Sequence, residues 1–168
     1  PQSISALISF YRSKGFYHAK IVSETAGDRV VFKIQENEPI RVGTLQINSP
    51  LEIGRDVTLQ SGDLFDQEKF SNAKSAIKKR YADGGYCNAQ YSTKAWIDIE
   101  TKEAHLLFEA DPQEPCTFGK ITVASTPNID GGLPASMLRF EEGDPYSVEA
   151  IRLSYEALYT QEGLSRVI

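Results

Sequence analysis

The stretch "YADGGYCNA", Tyr81 to Ala89, echoes a phrase seventy positions upstream, "YRSKGFYHA", Tyr11 to Ala19. A looser third version, "YTQEGLSRV", runs from Tyr159 to Val167. All three fit Tyr-x-x-x-Gly-(aromatic or Leu)-x-x-(Ala or Val). Read locally, Phe70, Ala73, Ile77 and Tyr81 recur at helical spacing and make one apolar stripe, which Gly84-Gly85 then stops. Tyr86 leads into the next strand, with Ala89 its first inward position. The phrase is a helix-to-strand joint, and the chain carries it more than once.

Outward from the joint, the match lengthens. "RVVFKIQENEPIRVGTLQI" (Arg29 to Ile47) aligns without gaps on "HLLFEADPQEPCTFGKITV" (His105 to Val123) at an offset of 76. "GDLFDQEKF" (Gly62 to Phe70) aligns on "GDPYSVEAI" (Gly143 to Ile151) at an offset of 81. Ordered blocks at similar offsets mark a tandem array with a unit of about 76 residues. Residues 39–114 make one complete unit. Residues 1–38 supply a second helix and a strand hairpin, and residues 115–168 supply a first strand and helices.

Within the complete unit, "IRVGTLQI" alternates as a strand. The segment from Asn48 to Phe65 is ambiguous, a short helix and a loop. Asp66 is a good N-cap, although Lys69 stands where a capping box would have Glu. "NAQYSTKAWIDI" and "AHLLFEA" read as strands joined at "ETKE". The order is strand, weak helix, strong helix, strand, strand: an α+β class.

A hairpin turn centred between Thr101 and Lys102 opposes residues whose numbers sum to 203. Ala95 then faces Phe108, and Ile97 faces Leu106, on a core side that also takes Ala89, Tyr91 and Thr93. In the upstream hairpin the turn is at "AGDR". This register has two consequences. Cys87 opposes Cys116, so these are either a disulfide in an oxidising compartment or two free thiols at unrelated strand ends. Trp96 and Leu107 meet on the outer face, as a contact with a neighbouring repeat or as a partner-binding patch.

The composition excludes several function classes. A net charge of −5 leaves no electrostatic footprint for nucleic acid. Apolar runs are too short to span a bilayer as a helix. The opening "PQSISALISFY" has no signal peptide and reads as an excised or mature fragment. The two histidines, His18 and His105, fall in different repeats, and no zinc-ligand spacing exists. Neither a Walker loop nor Gly-x-Gly-x-x-Gly is present. A Cys87–His105 nucleophilic pair is placed far apart by the hairpin. Glu141-Glu142 and Asp98-Glu100 read as solvated faces and turns. No catalytic, cofactor-binding or metal site is expected.

The β-α-α-β-β order, the Gly-Asp-x-(Phe/Tyr) approach to the second helix, the Tyr-x-x-x-Gly-aromatic exit and the first strands "TFGKITV" and "RVGTLQI" together resemble POTRA (polypeptide-transport-associated) domains. The set is similar to the periplasmic arm of the BamA/TamA superfamily, TamA more than BamA. The resemblance implies tandem units, each a three-stranded mixed sheet with two helices on one face. It implies a periplasmic arm attached to the outer membrane of a Gram-negative bacterium, touching the membrane only through a C-terminal barrel not included in this sequence. That arm would dock accessory periplasmic proteins and receive unfolded outer-membrane or secreted clients by β-augmentation.

In that fold the strand after the long helix, Asn88 to Ile99, lies at the sheet edge. Gln90, Ser92, Lys94 and Trp96 are then the candidate client contacts, with Leu107 beside them. The outer partial units complement each other, so copies are expected to complete one another as an exchanged homo-oligomer. Two alternatives stand: the POTRA region of a two-partner secretion transporter or divisome protein, or a small α+β ligand-binding or enzymatic domain outside the family.

Overall fold

The computed structural model describes residues 2–122 and 135–160. Most of the third copy of the joint phrase, from Gln161 onward, lies outside them, as does Val123. In order the elements are α1 (Gln2–Ser13), β1 (Lys20–Ala26), β2 (Arg29–Gln35), β3 (Arg41–Asn48), a 3₁₀ turn (Gly54–Asp56), α2 (Gln67–Asp83), β4 (Gln90–Asp98), β5 (Glu103–Asp111) and α3 (Val148–Tyr159). By compactness the chain divides into two units, one of Pro1–Ile77 with Tyr91–Ala110, the other of Lys78–Gln90 with Asp111–Ile168. These units do not coincide with the sequence repeats.

The first unit holds two sheets. In the three-stranded one the order is β3-β5-β4, so β5 is central. β3 runs parallel to β5 with a bulge between Val42 and Leu45. The sheet buries Val42, Ala104, Leu106, Phe108 and Ala110 against Phe70, Ala73 and Ile77 of α2 and against Ile53, Val57, Leu59 and Phe65 of the segment before it. Phe70 and Phe108 set their rings 5.1 Å apart. Apolar area withdrawn from water on this scale is the main stabilising term of the unit.

The expected weak helix is reduced to the single 3₁₀ turn. Its sequence explains this: Gly54 lowers helix propensity, while Ile53, Val57 and Leu59 still reach the core from an irregular path.

The second sheet is the two-stranded hairpin β1-β2, with Lys20 paired to Gln35 and Ala26 to Arg29. Its opposed residues sum to 55, so the turn falls at "AGDR" as read from the sequence. The turn is the tight two-residue one, Gly27-Asp28, with Gly27 at φ +61. The β4–β5 turn occupies residues 99–102, and Trp96 sets its ring beside that of His105, centroids 5.7 Å apart.

In the second unit, Phe118 stacks on Phe140 at 3.9 Å and meets Tyr146 at 5.6 Å. Ser147 caps α3 by accepting from the Ala150 N–H. Buried Ser154 is satisfied on both sides, donating to the Ala150 carbonyl and accepting from the Arg139 N–H. Of the expected strand "TFGKITV", the described residues show one isolated bridge, Thr117 to Pro145.

Candidate interaction edge and the two joints

α2 ends as the sequence dictates. The Tyr86 N–H bonds the Tyr81 carbonyl, and the Gly85 N–H bonds the Ala82 carbonyl, with Gly85 at φ +87. That is a Schellman stop, which needs a left-handed residue and so favours glycine. α1 ends identically, with Phe16 to Tyr11, Gly15 to Arg12 and Gly15 at φ +91.

The main-chain ladder beyond each stop is also built twice. The Gly15 carbonyl accepts from the Ile40 N–H at 2.8 Å, and the Ile40 carbonyl accepts from the Phe65 N–H at 3.0 Å. In the other compact unit, the Gly85 carbonyl accepts from Cys116 at 2.9 Å, and the Cys116 carbonyl from Tyr146 at 2.9 Å. The glycine, strand and pre-helix positions are displaced by the same 70, 76 and 81 residues that separate the sequence blocks. Further along, Gly62 donates to the Val42 carbonyl at 2.7 Å, and Gly143 to Phe118 at 2.8 Å.

The two joints differ in what else ties them. At the first, Lys14 Nζ lies 3.0 Å from Asp66 and 3.0 Å from Glu68. Both carboxylates raise the Lys14 pKa, Asp66 the more strongly. Burial pushes Asp66 upward, but Lys14 and the N–H groups of Lys69 and Glu68 together outweigh it, leaving a net lowering. A second ion pair joins Lys102 to Glu38, and it lowers the Glu38 pKa. At the second joint Gly84 stands where Lys14 would be, and Ser147 where Asp66 would be. There Cys87 and Cys116 are bonded, with Cα atoms 5.8 Å apart. Cys87 is exposed and Cys116 half-buried.

The candidate edge is β4. No other strand of the described residues pairs with its free side, since β5 is its one neighbour. β3 also has a single strand neighbour, but residues 61–64 cover its first half: Leu64 bridges Arg41, Val42 bonds Asp63, and Ser61 Oγ donates to the Gly43 carbonyl. Along β4, Gln90, Lys94 and Trp96 are exposed and Ser92 is half-buried. Leu107, on β5, is half-buried. Trp96 is 50% exposed, and its His105 neighbour is held by a 2.9 Å contact with Thr44 Oγ1. Sequence reading did not bring His105 to this patch, although alternation puts it on the same face of β5 as Leu107.

Among the described residues, no group of three or more His, Cys, Asp or Glu side chains could hold a metal ion. Cys87, bonded to Cys116, is not a thiolate. No described helix is long and apolar enough to cross a membrane.

A three-stranded mixed sheet in this order, with the long helix packed on it, defines an α+β domain of the POTRA type. Residues 43–113 match the POTRA family model, described as "Surface antigen variable number repeat". Among solved structures the chain is similar to POTRA domains 3–5 of Haemophilus influenzae BamA, with a TM-score of 0.64 and 16% identity over 94% of this chain and 67% of that one. It is also similar to Haemophilus ducreyi BamA lacking POTRA domains 1–3, with a TM-score of 0.51 and 18% identity over 71% of this chain and 24% of that one. At these identities the likeness is one of fold and does not separate BamA from TamA. No curated protein matches the chain.

Proposed function

We propose that this chain is part of the periplasmic arm of an outer-membrane protein assembly or translocation barrel. It acts as a non-enzymatic scaffold of tandem POTRA units and receives unfolded client segments by strand addition. The observation that carries the reading is the free side of β4 in a POTRA sheet. An open edge presents a row of N–H and C=O groups that any extended segment can pair with. Gln90, Ser92, Lys94 and Trp96 would flank the added strand, with Leu107 widening the apolar patch. Backbone pairing dominates such binding, so affinity is low and tolerant of client sequence.

Proline tests it. Ser92 and Thr93 are adjacent, so one of their N–H groups points to the free side. Proline at that position removes a donor the client uses while leaving the β5 ladder whole. The expectation is that either Ser92→Pro or Thr93→Pro weakens binding of an extended outer-membrane-protein peptide about five- to tenfold, with the melting temperature nearly unchanged. NMR titration shifts that match the parent in both variants would remove β4 as the site.

A second reading rests on exposure. Phe32 is 37% exposed, whereas Phe108, its counterpart at the 76-residue offset, is fully buried. Val30 and Ile34 are exposed in the same way, while Leu106 and Ala110 are buried. Exchange of the partial units 1–38 and 115–168 between two copies would cover this surface.

A further inference from the structure

An open cleft of about 650 Å³ at the turn end of β4 is lined by His18, Lys20, Asn37, Glu38 and Lys102. We propose that it binds a carboxylate, and that this carboxylate is an acidic side chain of the polypeptide segment added to β4. The carboxylate assignment stands on the cleft alone. Naming its bearer as the added segment rests on the open-edge reading above.

The walls are tied together without a ligand. The Asn37 amide donates to the His18 carbonyl at 2.7 Å, and His18 Nε2 lies 3.4 Å from the Ile99 carbonyl oxygen. Lys102 reaches across to Glu38. Lys20 is the exception, since its ammonium lines the cleft with no ion pair among the described residues. Two lysines against one glutamate leave a positive balance. A second carboxylate would meet it, bonding Lys20 and sharing Lys102 with Glu38.

Backbone geometry points to the same place independently. Lys102 holds φ +59 in the β4–β5 turn, a left-handed position that glycine takes with no side-chain clash. A lysine there costs backbone energy, and its partly exposed pair with Glu38 returns little. What it supplies is an ammonium at the cleft, and strain of this kind collects where a ligand is held.

Glu38 selects among anions. Lys102 lowers its pKa, so it stays ionised beside whatever enters. Its repulsion grows with the charge of the guest, which favours a singly charged carboxylate over a phosphate dianion. Position selects a polypeptide. The contact of His18 with Ile99 puts the cleft one residue past the end of β4. A segment paired with the free side of the strand leaves the edge there.

The experiment titrates two extended peptides into the whole chain by NMR. They are alike except for Glu or Gln flanking the paired stretch at both ends. Amides of His18, Lys20 and Lys102 report the cleft, and those of Ser92, Thr93 and Lys94 report the edge. The Glu peptide is expected to shift the cleft amides and to bind about three- to fivefold more tightly than the Gln peptide. Lys20→Gln should bring the Glu peptide down to the affinity of the Gln peptide. Lys102→Gly should do the same while raising the melting temperature by about 2–4 °C, because glycine relieves the left-handed strain.

No shift at the cleft, or a preference for Glu that survives Lys20→Gln, overturns the proposal, and shifts at the edge alone leave the edge reading standing. Shifts at the cleft alone uphold the carboxylate site and end the edge reading together with the assignment of the bearer. Inorganic phosphate at matched ionic strength should not displace the Glu peptide; displacement overturns the carboxylate assignment. A lower melting temperature for Lys102→Gly assigns that lysine to its pair with Glu38 and overturns its role here.

Discussion

Gly15 and Gly27 both adopt a positive φ, and they separate two costs that a glycine can carry. A Cβ at Gly27 would meet nothing within 4 Å, so Gly27→Ala bears only the left-handed penalty, about 1–2 kcal/mol. A Cβ at Gly15 would lie 2.6 Å from the Phe65 carbonyl oxygen, which belongs to the joint itself. Gly15→Ala therefore adds a backbone clash to the same penalty. Thermal unfolding of the two variants should show a clearly larger drop for Gly15→Ala; equal drops would mean that the joint around Gly15 relaxes freely. The helix stop at Gly15 was legible, because a glycine after a Tyr-terminated stripe needs no partner to be recognised. The close approach of Phe65 was not, since it joins positions fifty residues apart.

Among elements, the β5 strand shows what a complete unit supplies. Phe108 is enclosed by α2 and the irregular segment before it, whereas Phe32, in the equivalent strand β2, is more than one-third exposed. Phe108→Ala should cost about 3–5 kcal/mol by cavity formation, and Phe32→Ala in dilute solution less than about 1 kcal/mol. Urea denaturation would check the pair. Similar losses at both positions would mean that Phe32 is enclosed in solution.

Helix α2 and strands β3, β4 and β5 were readable because their apolar residues recur at 3.6 or 2. The first helix was not, because Ile53, Val57 and Leu59 do not follow one period through a glycine. The β1–β2 register was readable from its turn: alternation fixes the face but leaves a shift of two unpenalised, and Gly27-Asp28 settles it.

For the whole molecule, the exchange reading makes a concentration-dependent claim. Light scattering across a dilution series should show a dimer that dissociates on dilution, because burial of Val30, Phe32 and Ile34 against a second copy follows mass action. A monomer at every concentration would end that reading and leave the β4 edge untouched.

The sequence by itself determined the α+β class, the POTRA resemblance, and the blocks and their offsets, because these rest on local periodicity and on self-similarity along one chain. Only the tertiary structure decided that β4 keeps a free side while residues 61–64 cover β3. It also decided that His105 joins Trp96, that Lys14 lies between Asp66 and Glu68, and that Cys87 is bonded to Cys116. Those facts join residues distant in sequence, and contact between such residues is fixed by how whole elements pack.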